Sequence, residues 1–151
     1  MSDKISIKVK RVSADFPDIS LPTYATKGSA GLDLRAAVLN KVIIPSGKTA
    51  MIPTNLSVEI PEGYEIQVRP RSGLAAKHSI GVLNSPGTID SDYRGEIKVI
   101  LINFSDDDFE ISRGDRIAQM ILSRVYVAEL IETDDLSDSD RGEGGFGHTG
   151  K

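Results

Sequence analysis

Apolar residues along this chain recur at a spacing of two in short runs, and proline and glycine break the runs. Ile5, Ile7 and Val9 alternate with Ser6, Lys8 and Lys10. Such alternation puts every second side chain on one face of a strand. Runs at 42–44, 49–52, 56–60 and 64–68 follow, separated by Pro45-Ser46-Gly47, Pro53 and Pro61-Glu62-Gly63, all of turn-forming chemistry. Further strands are predicted at 97–103, 109–111, 116–122 and 126–131. Val99, Ile100, Leu101 and Ile102 are consecutive and apolar, so both faces of their strand need cover, as in a core or interface strand. One brief helix is predicted over 72–78, with Ser72 as N-cap and Leu74, Ala75 and Ala76 as tolerable helix formers. The predicted fold class is all-β, a sandwich or barrel of short strands.

The pattern fails beyond residue 132. Residues 133–140 hold four aspartates, two serines and a single apolar Leu136, and residues 141–151 hold five glycines. Such a stretch is too polar to pack and reads as a mobile arm. The expected organisation is therefore a β domain over 1–132 and an acidic linker with a Gly-rich arm over 133–151.

At 151 residues the chain suits one domain, which at this size buries roughly 70% of the surface its unfolded form exposes. Zero cysteines exclude a disulfide framework and thiolate metal sites. No basic stretch followed by an apolar block opens the chain, and no apolar window approaches membrane length, so a cytoplasmic protein without membrane contact is expected. A formal charge of −4 without a basic block disfavours polymeric nucleic acid, whose binding rests on neutralising many phosphates. One triphosphate needs only a few arginines, backbone amides and a divalent cation.

Five segments carry candidate chemistry. In Asn84-Ser85-Pro86-Gly87-Thr88-Ile89-Asp90-Ser91-Asp92-Tyr93-Arg94-Gly95, Pro86-Gly87 suits a type II turn and Asp92 to Gly95 a second reversal, giving a hairpin or looped strand pair. It can present amides, the Asn84 side chain, the Asp90 carboxylate and the Tyr93 ring to one small ligand. Arg71, Ser72 and Gly73 stand at the predicted helix start, where free N–H groups favour an anion. Asp33 shares a strand face with Arg35, either as an ion pair or as a holder of magnesium-bound water. Gln119 interrupts an apolar strand, facing either solvent or a phosphate. Arg141, Phe146 and Thr149 sit among glycines that can wrap phosphates while the ring stacks on a base. Taken singly, each also fits an ordinary turn, cap, surface pair or solubilising tail. Residues 145–151 match the P-loop spacing, but neither the preceding strand nor the following Ser or Thr and helix is present, so that reading is rejected. His78 and His148 are too isolated for a zinc site, and His78 is read as structural.

Read together, AGLDLRAA from Ala30, RPRSGLAAKH from Arg69, GVLNSPGTIDSDYRGEI from Gly81, RGDRIAQMIL from Arg113 and RGEGGFGHTG from Arg141 resemble, in order and spacing, the five motifs of the trimeric dUTPase family. Pro86 and Thr88 stand where small or aliphatic residues are frequent, and His148 where Ser is. The resemblance implies a β-barrel-like jelly roll assembled as a homotrimer, with three active sites between subunits. It implies Asp90 as general base for water attack on the α-phosphorus of dUTP, giving dUMP and pyrophosphate. It further implies Arg71, Ser72, Gly73 and Gln119 on phosphates and Asp33 in the shell of a Mg2+ ion through water. Asn84, Gly87 and Ile89 would read uracil, Tyr93 would pack on deoxyribose, and Arg141, Phe146, Gly147 and Thr149 would close over the nucleotide. Two competing readings are a fold-related dCTP deaminase, which would release ammonia, and a non-catalytic trimeric dUTP-binding module.

Overall fold

The computed structural model describes residues 4–147, within which the alternating runs pair into four small antiparallel assemblies. In chain order the elements are β1 (Lys8–Arg11), β2 (Leu32–Arg35), β3 (Val42–Ile44), β4 (Thr49–Pro53), β5 (Leu56–Glu59) and β6 (Tyr64–Arg69). Then come α1 (Ser72–His78), β7 (Ile80–Val82), β8 (Gly87–Ile89), β9 (Lys98–Asn103), β10 (Phe109–Ile111) and β11 (Arg116–Arg124). A four-stranded sheet runs β2-β11-β6-β8, a three-stranded sheet β4-β9-β7, and β1-β5 and β3-β10 form ribbons. The inward residues of all four meet in one core, with Leu34, Ile44, Ile52, Ile66, Leu101 and Ile117 completely or almost completely buried. The all-β reading with one short helix holds.

Buried polar groups are paired internally. Asn103, fully buried at the end of β9, donates through Nδ2 to the carbonyls of Ile44 at 2.8 Å and Asp107 at 2.7 Å, tying β9 to β3. Phe16, Ile19 and Ala37 form a small second core. The Arg113 guanidinium lies 4.5 Å over the Phe16 ring and hydrogen-bonds Asp18, holding that carboxyl down at about 2. Arg113 thus serves as a clamp on the loop leading from β1 toward β2.

The structure departs from the expected elements in several places. Strand β1 begins at Lys8, later than the alternation over residues 5–9 suggests, although Ile7 still packs on the core. Ser72 is the first helical residue and Arg71 occupies the N-cap position, without a side-chain capping bond. Residues 126–131 form no strand, and Tyr126, Val127, Leu130 and Ile131 are 79 to 95% exposed. The reason is register: Arg124 pairs with Tyr64, the first residue of β6, so the chain beyond β11 outruns its neighbour, and its last sheet contact is Val125 N–H to the Gly63 carbonyl at 2.9 Å. Of the consecutive apolar run in β9, Val99 and Leu101 are buried, but Ile100 and Ile102 are only half-covered within one chain.

The segment from Gly81 to Gly95 is not a hairpin. Strand β7 pairs with β9 in one sheet, whereas β8 pairs with β6 in the other, so this stretch carries the chain from sheet to sheet. The Ser85–Pro86 bond is cis and Gly87 has no positive φ, which replaces the expected type II turn. The second reversal is present slightly early, closed by Tyr93 N–H to the Asp90 carbonyl at 3.1 Å.

Candidate active site

Two pockets gather most of the residues singled out in the sequence. The first lies at one end of the four-stranded sheet, where Asp33 on β2, Gln119 on β11 and Arg69 on β6 stand in register across three strands. Pro70 ends β6, and the chain turns into α1. The first helical hydrogen bond runs from Ala75 N–H to the Arg71 carbonyl, which leaves the N–H groups of Ser72, Gly73 and Leu74 without helical partners. Asp33, Arg71, Ser72, Gly73, Arg116, Gln119 and Ala25 enclose about 200 Å³.

The Asp33–Arg35 ion pair, one of the two readings the sequence left open, is not formed. Asp33 meets Arg71 Nε at 3.3 Å and Arg116 Nη1 at 3.4 Å, while Arg35 donates to the Gly114 carbonyl at 2.9 Å. Arg71 and Arg116 reach Asp33 from neighbouring elements, so Arg35 is left to satisfy the β10–β11 turn. Two guanidiniums share one carboxylate, which offsets their mutual repulsion and leaves the pocket a net positive charge suited to an anion. Gln119 donates through Nε2 to the Pro70 carbonyl at 3.0 Å. Its amide fits because Gly31 has no Cβ; a Cβ there would run into Gln119 Oε1.

Arg116 is the pocket residue that sequence reading missed, and the cause is a bulge. Strict alternation puts residues 116 and 119 on opposite faces. The register of β11 against β2 shifts between Arg116 and Ala118, so both Ile117 and Ala118 are buried and Arg116 turns to the Gln119 side.

The second pocket, about 420 Å³, opens where the crossing segment passes between the sheets and is lined by Asn84, Gly87, Ile89 and Tyr93 together with Val68, Val82 and residues 96–100. Gly87 permits close approach: a Cβ would lie 3.3 Å from Val68 Cβ and 3.4 Å from Asn84 Nδ2. Asp90 follows Ile89 at the end of β8, with its side chain exposed. Tyr93 donates its hydroxyl to the Glu96 carbonyl at 3.1 Å.

The two pockets have no lining residue in common: Asn84, Gly87, Ile89 and Tyr93 line one, Arg71 and Gln119 the other, and Asp90 lines neither. The same holds for the arm. Arg141, Phe146 and Gly147 line neither pocket; Arg141 bonds only locally, to the Gly144 carbonyl at 2.6 Å, and the Phe146 ring is fully exposed. Thr149 lies outside the described residues, as does His148. His78 packs its ring against Phe109 at 5.3 Å.

This is a β fold with a cationic pocket and a separate, largely apolar pocket, and both its sequence and its shape match relatives named for nucleotide hydrolysis. A family description, dUTPase, matches residues 17–150. The chain is 58% identical over 146 residues to the deoxyuridine 5'-triphosphate nucleotidohydrolase of Beijerinckia indica subsp. indica, covering 95% of this chain and 91% of that one. It is 60% identical over 131 residues to the protein of the same name from Chlamydia pneumoniae, covering 86% and 90%. Among solved structures, a dUTPase of Staphylococcus bacteriophage 80alpha with dUpNHpp superimposes with a TM-score of 0.84 at 26% identity, covering 97% of this chain and 99% of that one. The chain belongs to the dUTPase family and has its fold.

Proposed function

We propose that this protein is a dUTP diphosphatase, releasing dUMP and pyrophosphate through water attack at the α-phosphorus. The observation that carries the reading is that Arg71 and Arg116 share one small pocket, suited to phosphates, while the Asn84 amide and a largely apolar wall share another, suited to a pyrimidine nucleoside. In it, Arg71, Arg116, Gln119 and the amides of Ser72 and Gly73 bind the phosphates and stabilise charge developing in the transition state. Asn84 and the backbone at Gly87 and Ile89 take the uracil edge, and Tyr93 takes the sugar. Asp90 accepts the proton of the attacking water.

Among the described residues no three His, Asp or Glu side chains gather as a dedicated cation cage. Magnesium usually keeps several waters and leans on substrate phosphates, so the single half-buried carboxylate of Asp33 fits such an ion through water. When bound, the ion would neutralise triphosphate charge. Asp33 itself orients Arg71 and Arg116 by its two ion pairs.

The two halves of this site meet in a homotrimer with shared active sites. Two apolar surfaces support that assembly. Met51, Leu83 and Phe104 are exposed on the outer face of the β4-β9-β7 sheet beside Ile100 and Ile102, and the run after β11 leaves Tyr126, Val127, Leu130 and Ile131 uncovered. Patches of this kind are covered by partners. The arm, residues 133–151, then closes over a nucleotide bound at a neighbour through Arg141, Phe146, Gly147 and Thr149. Free nucleoside triphosphate is the substrate class, so the cytoplasm is the compartment this reading assigns.

Products test the reading. With dUTP and magnesium, pyrophosphate and dUMP are expected in equal amounts, and dCTP should give no ammonia. Ammonia from dCTP would instead assign a deaminase, and tight dUTP binding with no product would assign a binding module.

A further inference from the structure

Tyr93 is held in the second pocket by the residues that follow it rather than by its own surroundings. The residue is 45% exposed, so packing alone does not fix it. Two contacts do. The hydroxyl donates to the Glu96 carbonyl at 3.1 Å, and the ring edge lies over Gly95 so closely that a Cβ on Gly95 would sit 2.6 Å from Tyr93 Cζ, 3.0 Å from Cε2 and in collision with Oη. Gly95 has no φ in the left-handed region, so its backbone accepts alanine without strain. Space for the Tyr93 ring is what the missing Cβ supplies.

The platform beneath the ring is itself rigid. The Glu96 carboxylate accepts from Asn55 N–H at 2.9 Å. Ile97 N–H donates to the Leu56 carbonyl at 2.8 Å, and buried Thr54 Oγ1 donates to the Ile97 carbonyl at 2.7 Å. Asn55 in turn bonds both backbone groups of Ser13 through its amide, at 2.7 and 3.0 Å. Glu96 and Ile97, which follow Gly95 directly, are thus sewn to the turn between β4 and β5. The half-exposed Tyr93 side chain is freer to shift than this anchored backbone.

We infer that Gly95, with the Glu96 carbonyl, is a specificity-determining positioning element that sets the depth of the Tyr93 ring in the pocket and thereby the exclusion of a 2′-hydroxyl. This deepens the dUTP reading and rests on it. A displaced ring opens the sugar side of the pocket while leaving Asn84, Gly87 and Ile89 untouched, so selection between deoxyribose and ribose should fail separately from selection between uracil and thymine.

The test compares kcat/KM for dUTP, UTP and dTTP in the parent, Gly95→Ala, Tyr93→Phe and Tyr93→Ala, with Gly28→Ala as a control, since a Cβ at Gly28 would meet nothing within 4 Å. Gly95→Ala and Tyr93→Ala are expected to lower the dUTP-over-UTP ratio on the order of tenfold or more, with the dUTP-over-dTTP ratio within about threefold of the parent. Tyr93→Phe, which loses only the bond to Glu96, should lower the UTP discrimination by a smaller factor. Gly28→Ala should leave both ratios unchanged. A folded Gly95→Ala whose UTP discrimination stays within about twofold of the parent, or both ratios falling together, overturns the inference. If Gly95→Ala does not fold, Tyr93→Phe decides, an unchanged ratio counting against. A parent that turns over no dUTP overturns the proposed function itself, whereas dUTP turnover with intact UTP discrimination in the variants overturns only the role of Gly95.

Discussion

Replacing Asp90 with Asn is expected to slow dUTP turnover by about 10² to 10⁴ while leaving dUTP binding close to the parent value. The substitution keeps shape and removes the acceptor. Asp90 is flanked by residues of the second pocket: Ile89 ends β8 in its wall, and the turn closed on the Asp90 carbonyl brings Tyr93 back to the same pocket. Its side chain is exposed in one chain, so substitution disturbs no packing and the loss should fall on kcat. Stopped-flow turnover with a parallel binding isotherm separates the two quantities. A variant within about twofold of the parent in kcat would remove Asp90 from the proton transfer.

The second large effect concerns the arm. Ending the chain after Ser139 should leave the fold unchanged but cut hydrolysis on the order of 10²-fold, because positioning by a closing segment is worth at least that much. Arg141 to Gly147 makes only local bonds, so the β domain loses nothing by its removal. The chain leaves its last sheet contact at Val125, and the sixteen residues from there to Arg141 span roughly 50 Å when extended, against a radius of gyration near 15 Å for a domain of this length. A neighbour's pocket is within reach. Mixing Asp90→Asn chains with truncated chains should therefore restore activity, since some sites in mixed trimers receive an intact Asp90 and an intact arm. Freshly formed mixed trimers with no recovered activity would contradict subunit sharing.

What the sequence made legible followed from periodicity. Strands at 42–44 and 109–111 and the helix at 72–78 fall where alternation, proline and glycine put them, because each is fixed by local spacing and a nearby turn. Features that depend on distant pairing were hidden. Arg116 faces the pocket of Asp33, Arg71 and Gln119 only because a bulge against β2 changes the parity of β11, and no local signal marks that bulge. The segment from Gly81 to Gly95 has hairpin composition, yet its strands join different sheets, since β9 and β6 offer open edges to β7 and β8. Residues 126–131 have strand composition without a strand beside them in one chain. Candidate site residues were found by chemistry in five separated segments, and the fold gathers two groups of them; the arm remains apart.

The central claim is water attack at the α-phosphorus of dUTP, and the position of an oxygen label tests it most directly. Hydrolysis is run to completion in 18O-enriched water with magnesium, and the products are weighed by mass spectrometry. One labelled oxygen per dUMP and none in pyrophosphate is the expected result, because the bond that forms joins water oxygen to the α-phosphorus and the bond that breaks leaves the bridging oxygen with pyrophosphate. Label in pyrophosphate with unlabelled dUMP would mean attack at the β-phosphorus and would contradict the account.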